Sequence, residues 1–415
     1  MKEPCLLEAY PARDQADRPF RVMARGLKPG SRATVRARTV DEGGREWETA
    51  GVFRADAGGD VDLSLQAPES GGWSVPDPGG LLWSLRPARG RGPVPLFRKN
   101  GLEPVRIDLS LETDGQTAAA AGLERRFLPP GGEVVREPVD ENGVTGVFFH
   151  PAGGGPRPVV VCLSGSGGGV SEPRAALLAA RGYAALALAY FGSGSLPRSL
   201  SEIPLEFFDR ARTWLAAHPA ADDRRLALYG FSKGGELALL LASFRPEVRA
   251  VASFSGSSRV WQGLKFGRPA SSWTRGGAPV PFLPFRLPAG DIARLLLGRP
   301  VAFERGYSRG LAAAPPGAAA IAAGRIRGAV LAVAGTGDRV WPAADFAREL
   351  EADRKIAGTG CRLLVEDAGH LVALPYLPPA QICRNLIFSR APFEADGRAG
   401  ARAWEALVAF LDETL

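Results

Sequence analysis

The chain has 415 residues, too many for one ordinary core, so two domains are expected. It is 45% hydrophobic and 23% charged, as soluble globular proteins are, and no run of about 18 uncharged apolar residues offers a membrane span. The net charge of +7 comes from arginines spread along the whole chain, with no Lys/Arg run interleaved with aromatics; this argues against a nucleic-acid partner, while a mild positive field suits an anionic small substrate.

The first twenty residues, "MKEPCLLEAYPARDQADRPF", contain no apolar core of a secretory leader. Cys5, Cys162, Cys361 and Cys383 are scattered without metal-ligand spacing, so neither a disulfide framework nor a metal or other cofactor is implied. A cytoplasmic location is expected. Through residue 125 the chain has short alternating runs, "FRVMARGL", "SRATVRART", "REWETAGVFRAD", "GDVDLSLQ" and "PVRIDLSLET". The turn signals "KPG", "DEGG" and "DAGG" separate them. That rhythm predicts a β-sandwich over residues 1–125.

Residues 125–143 read as a Pro/Gly-containing connector, after which the rhythm changes. "GVTGVFFHP" and "RPVVVCLSG" read as strands, "EPRAALLAARG" as a helix and "YAALALAYFG" as a strand. Helix "LEFFDRARTWLAAHP", strand "RLALYGFS", helix "GGELALLLASF" and strand "VRAVASFSGSS" follow. Beyond residue 324 come "GAVLAVAGTGD", helix "PAADFARELEADRK", strand "CRLLVEDAGH" and a last helix "GARAWEALVAFLDETL". Strands alternating with helices predict an α/β fold, a mostly parallel sheet covered on both faces, over residues 126–415. Residues 257–324 break the alternation with a Pro- and Trp-rich stretch and a weak helix or two. A long irregular insertion late in such a sheet reads as a lid or substrate-binding segment.

The chemistry is concentrated in "LALYGFSKGGELALLLAS", where G-x-S-x-G stands between a strand and a helix. In a nucleophile elbow the turn strains the serine backbone, the glycines remove the clash, and the hydroxyl is left exposed above the sheet. Ser232 is therefore the candidate nucleophile, and the N–H of Lys233 would face a developing oxyanion. Serine needs a base and an orienting acid. The chain has three histidines. His150 lies at a strand end away from the usual site edge, and His218 precedes Pro219 at a helix end, where capping or solvation is expected. His370, in the loop after "CRLLVEDAG", is the candidate base. Asp338, in the Gly-rich loop after "AVLAVAG", is the candidate acid. Asp345 falls on the next helix, and Asp367 is too close to His370. The glycine-rich turn "GSGGGVSEPRA" offers Gly165 and Ser166 as the other oxyanion donors; it lacks the Lys-Ser/Thr ending of a phosphate-binding P-loop.

These segments resemble the family of type I acyl-CoA thioesterases and bile acid-CoA:amino acid N-acyltransferases (BAAT), and a bacterial-type member is expected. The resemblance runs through "GLKPGSRATVRARTVDEGGREW", "FRADAGGDVDL" and "GLLWSLRP", then "SGSGGGVSEPRAALLAARGYAALALAYFG", "LPRSLSEIPLEFFDRARTWLAAHP", "GHLVALPYLPP" and "AWEALVAFL". It implies an immunoglobulin-like β-sandwich packed on an α/β-hydrolase domain, an acyl-CoA substrate, and a triad on Ser232, Asp338 and His370. The conjugating members carry cysteine as nucleophile and the thioesterases serine, so Ser232 favours hydrolysis. An acyltransferase on the same triad, and a general carboxylesterase or peptidase, remain open. A non-catalytic protein on a decayed hydrolase fold is disfavoured by the intact Ser, His and Asp.

Overall fold

The structure, a computed structural model, describes residues 4–90, 92–265, 269–372, 374–375 and 377–415. Residues 1–3 of the leader reading, 266–268 of the insertion, and Ala373 and Tyr376 of "GHLVALPYLPP" lie outside the described residues.

The N-terminal part forms two sheets. Leu6–Tyr10, Arg21–Arg25 and Val61–Asp62 make one of three strands. The other, of seven, is built on Arg32–Val40, Glu46–Arg54, Val105–Thr113 and Gln116–Arg126. Alternation decides which side chains point inward: Val35, Ala37, Trp47, Phe53, Ile107, Leu109 and Leu111 are all buried, while their neighbours face solvent. The run "GDVDLSLQ" shrinks to Val61–Asp62. Asp62 ends it, because its carboxylate accepts from Ser64 N–H at 2.8 Å and its carbonyl from Leu65 and Gln66, which curls the chain into a turn.

The second part is an eight-stranded sheet. Its strands are β1 (Val134–Glu141), β2 (Val144–Pro151), β3 (Arg157–Leu163), β4 (Ala184–Ala189), β5 (Ala221–Phe231), β6 (Ala250–Phe254), β7 (Ala329–Gly335) and β8 (Arg362–Glu366). Their order is β1-β2-β4-β3-β5-β6-β7-β8, with only β2 running against the rest. This is an α/β-hydrolase sheet. The expected connector at 125–143 therefore contains an edge strand. Pro138 and the charges of "VVREPVDE" disguise it, and an edge position tolerates both.

The sheet buries both faces. Along β3, Val160 and Cys162 enter the core shared with the N-terminal sheets, and Val159, Val161 and Leu163 enter the opposite one. The first face is covered by α1 (Glu172–Ala180) and, from the far end of the chain, by Phe393–Thr414; the second by α2 (Phe207–Ala217) and α3 (Lys233–Phe244). In the insertion lie α4 (Ala289–Leu296) and α5 (Glu304–Ala312), followed after β7 by α6 (Ala343–Ile356) and by α7, the Phe393–Thr414 helix. The insertion is less irregular than expected. Trp273–Arg275 pairs with Ile203–Pro204, and buried Trp261 and Tyr307 stack edge to face at 4.8 Å.

The two parts share a polar anchor. The fully buried Asp17 carboxylate accepts from Arg181 Nε at 2.8 Å and from Trp404 Nε1 at 3.0 Å. Trp83 seats on Gly397, where any Cβ would come within 2.6 Å of the indole. Among the described residues, no helix is long and apolar enough to cross a membrane.

Candidate active site

Ser232 stands between the end of β5 and the start of α3 at φ 56°, ψ −121°, a conformation that few residues other than glycine adopt. Two glycines make the turn possible. A Cβ at Gly230 would lie 2.0 Å from the carbonyl oxygen of Gly234, and one at Gly234 2.3 Å from that of Leu163. The strained residue is fixed from both sides: its N–H donates to Phe254 at 2.8 Å, and its carbonyl accepts from Gly235 at 2.8 Å.

Three loops at the carboxyl edge of the sheet bring the candidate triad together. His370 Nδ1–H donates to Asp338 Oδ2 at 2.7 Å, and Nε2 accepts the Ser232 hydroxyl at 2.9 Å. All three side chains are buried. Asp338 is held by its other oxygen, which accepts from Val340 N–H at 2.7 Å and Trp341 N–H at 3.2 Å. His370 is fixed through its backbone: its N–H donates to Phe388 at 3.0 Å and its carbonyl accepts Ser255 Oγ–H at 2.8 Å. Phe388 stacks parallel to the imidazole at 6.0 Å, and Phe231 packs on it at 5.4 Å. Asp345 lies in the first turn of α6 and Asp367 just beyond β8; neither bonds His370.

Of the candidate oxyanion residues, Gly165 lies against the nucleophile. A Cβ there would sit 3.2 Å from Ser232 Cβ. Ser166 is exposed in the same loop. The loop is braced by Tyr190 Oη–H on the Ser164 carbonyl at 2.6 Å and by Gly169 N–H on Phe191 at 2.9 Å. Lys233 opens α3, so its N–H is among the unpaired donors of that helix.

The side chain of Lys233 does something the sequence reading missed. It turns inward, with Nζ 2.8 Å from Glu236 Oε2 and 2.8 Å from Ser272 Oγ. Glu236 also accepts from Trp273 Nε1 at 2.8 Å and from Trp261 N–H at 3.3 Å. Burial pushes the lysine below its ordinary range and the glutamate above, each opposed by the other's charge. A Lys and a Glu three apart in an otherwise apolar helix, "KGGELALLL", were the available signal.

The other two histidines meet elsewhere. His150 Nε2 lies 2.8 Å and His218 Nε2 3.1 Å from the two oxygens of Glu137. His218 does close α2, but it is bonded to Glu137 instead of being solvated. Burial raises the Glu137 carboxyl, yet the two imidazoles together hold it below the usual range. The three donor atoms lie within 4.8 Å of one another and are the described residues' one grouping with metal-ligand chemistry. Burial pushes the Cys162 thiol up to about 12, so it is no rival nucleophile.

Residues 17–141 match the family described as acyl-CoA thioester hydrolase/BAAT N-terminal region, and residues 203–415 match BAAT/acyl-CoA thioester hydrolase C terminal. The chain is 37% identical over 246 residues to human acyl-coenzyme A thioesterase 1, covering 58% of each chain. It is 39% identical over 249 residues to mouse mitochondrial acyl-coenzyme A thioesterase 2, covering 58% of this chain and 53% of that one. The matched region thus spans little more than half the length of these relatives. A solved Mycobacterium tuberculosis puromycin-hydrolyzing peptidase aligns with a TM-score of 0.44 at 18% identity, over 91% of this chain and 53% of that one. The C-terminal match alone takes in more than half of the chain, and both halves of one architecture are present in order: the chain belongs to the acyl-CoA thioester hydrolase/BAAT family.

Proposed function

We propose that the protein hydrolyses acyl-CoA thioesters through an acyl-enzyme on Ser232. The observation that carries this reading is the hydrogen-bonded line Asp338, His370, Ser232, at 2.7 and 2.9 Å, in a chain of this family. Ser232 Oγ attacks the thioester carbonyl carbon while His370 Nε2 takes the hydroxyl proton. The tetrahedral oxyanion is received by the N–H of Lys233 and by Gly165 and Ser166 of the facing loop. Its collapse breaks the C–S bond, and the leaving thiolate takes the proton from the imidazolium. A water then gives a proton to Nε2 and adds to the acyl ester. The Ser232 C–O bond breaks, and carboxylic acid leaves as the serine is reprotonated.

Serine at the nucleophile position favours water over an amine as acceptor, because its oxygen ester is less prone to aminolysis than a thioester. The catalytic unit is taken as residues 126–415, the sandwich as 1–125, and the 257–324 insertion as the substrate-facing lid. Four free thiols fit a reducing compartment, and we place the protein in the cytoplasm, without a nucleic-acid partner. The test is thiol release from a panel of acyl-CoA esters, with products analysed by mass spectrometry in the presence and absence of excess glycine. Free acid in both arms supports hydrolysis. Amide as the main product would assign the protein to the acyltransferases, and turnover of simple esters alone would make it a carboxylesterase.

A further inference from the structure

A pocket of about 270 Å³ opens on the face where the N-terminal sheets dock. Its walls come from three separate stretches: residues 96–100 before strand Val105–Thr113, the start of α1, and the loop after His370 with α7 behind it. Leu371, next in sequence to the catalytic imidazole, contributes to the lining. So does Arg174, whose guanidinium lies 5.1 Å from the ring of Phe231, the residue before Ser232. The pocket is thus lined by the residue that follows the base and by an arginine packed on the residue that precedes the nucleophile.

Its chemistry is divided. Leu371, Leu374 and Leu377 make an apolar wall, Arg98, Lys99 and Arg174 supply cations, and Asp396, bonded to Gly369 N–H, is the one acid in the lining. Lys99 is already neutralised by Glu42 and lies over the Phe127 ring. The two arginines are not: among the described residues, neither has a carboxylate within ion-pair distance, although most other ion pairs of the chain are made by arginine. Arg174 is half-buried, its Nε has no hydrogen-bond partner, and its Nη1 reaches only Ser171 Oγ at 3.3 Å. With Nε buried and unpaired and the head packed on the Phe231 ring, this guanidinium has a fork that an anion would complete.

Resting on the thioesterase reading, we propose that this seam between the N-terminal sheets and the hydrolase sheet is the subsite for the leaving group, with Arg174 and Arg98 receiving the diphosphate of CoA and the leucine wall its pantetheine arm. The volume suits the pantetheine arm, with the diphosphate at the mouth and the adenosine end left outside. In this arrangement the N-terminal domain helps to form the substrate site, because Arg98 belongs to one part of the chain and Arg174 to the other.

The test compares two thioesters of one acyl chain, the CoA ester and the N-acetylcysteamine ester, which lacks the diphosphate. For Arg98→Ala and Arg174→Gln, kcat/KM on the CoA ester is expected to fall about 10–100-fold, chiefly through KM, and at least tenfold more than on the truncated ester. Raised salt should depress the wild-type rate on the CoA ester more than the rate of either variant. Equal losses on both esters, or no loss on either, would overturn the subsite. Calorimetric titration of free CoA into the Ser232→Ala protein and its Arg98→Ala and Arg174→Gln derivatives needs no turnover. Binding weakened tenfold or more by either arginine change supports the subsite even if thioester hydrolysis fails, and unchanged or absent binding sinks it. Arg98 is exposed, so its substitution keeps the test open should Arg174→Gln misfold.

Discussion

Lys233 and Glu236 form an ion pair of 2.8 Å, one turn into the helix that begins at the nucleophile, and neither side chain reaches solvent. The pair also binds Ser272 and the indole of Trp273, so it ties the 257–324 insertion to the elbow helix. Removing one member strands a buried charge, which typically costs about 3–5 kcal/mol, whereas replacing both with apolar groups costs much less. Lys233→Met is expected to destabilise by about that amount, and Lys233→Met with Glu236→Leu by clearly less. Urea unfolding of the two variants checks it. A double variant no more stable than Lys233→Met would mean the bonds to Ser272 and Trp273 matter more than charge.

Ser232→Ala should leave a folded protein whose thioester hydrolysis is about 10⁴–10⁶-fold lower, and His370→Ala should lose a comparable amount. His218→Ala should keep most of its activity, because His218 is bonded to Glu137 at the far end of α2. Rates of thiol release from all three variants decide the matter. An inactive His218 variant beside an active His370 variant would remove His370 from the mechanism.

Much of this site is legible in sequence because each part has a local signature. Gly230 and Gly234 announce a turn in which no Cβ fits, and three histidines leave few choices of base. Bonds between distant residues leave no such trace. Glu137 and His218 are 81 positions apart, and nothing near either announces the other. Edge strand β1 hides behind Pro138, and α7 begins at Phe393, seven residues before the helix expected from Gly400. There Gly397 is needed for the close approach of Trp83, a packing demand invisible in local propensity. The inward turn of Lys233 is of the same kind.

Asp396 gives a pH dependence with a definite sign. Its carboxyl is buried in α7 and pushed up to about 6, by burial first and by the charges of Asp367 and Asp338; the Gly369 N–H bond opposes this. An acid raised above its unfolded value of about 3.9 binds more protons in the folded protein between those two values. Its contribution to stability is therefore greatest below about pH 4, falls as pH rises to about 6, and then stays low. Asp396→Asn keeps an acceptor for Gly369 and removes the titration. It should match wild type near pH 4 and exceed it by about 1–3 kcal/mol at pH 7.5, as a shift of roughly two units allows. Denaturation at the two pH values measures this. A variant less stable than wild type at pH 7.5 would mean that the charged bond to Gly369 outweighs the burial cost.

The last prediction concerns the seam between the two parts. Asp17 belongs to the N-terminal sheets, while its partners Arg181 and Trp404 lie at the end of α1 and within α7. Asp17→Ala leaves a largely buried guanidinium and a buried indole N–H without their acceptor. Each such loss costs on the order of 1–3 kcal/mol, more where charge is involved. The substitution should therefore lower stability by about 3 kcal/mol or more without touching a triad residue. Asp17→Asn keeps one acceptor but no charge and should recover only part of it. Complete removal is a harsher case. Without residues 1–125, Gly397 loses the indole of Trp83, and the apolar face of α1 and α7 meets water across a broad patch. A chain starting near residue 126 is expected to aggregate, as followed by size-exclusion chromatography and light scattering. A soluble monomer with full activity on acyl-CoA would show that the hydrolase sheet stands alone, and would also remove Arg98 from the leaving-group subsite.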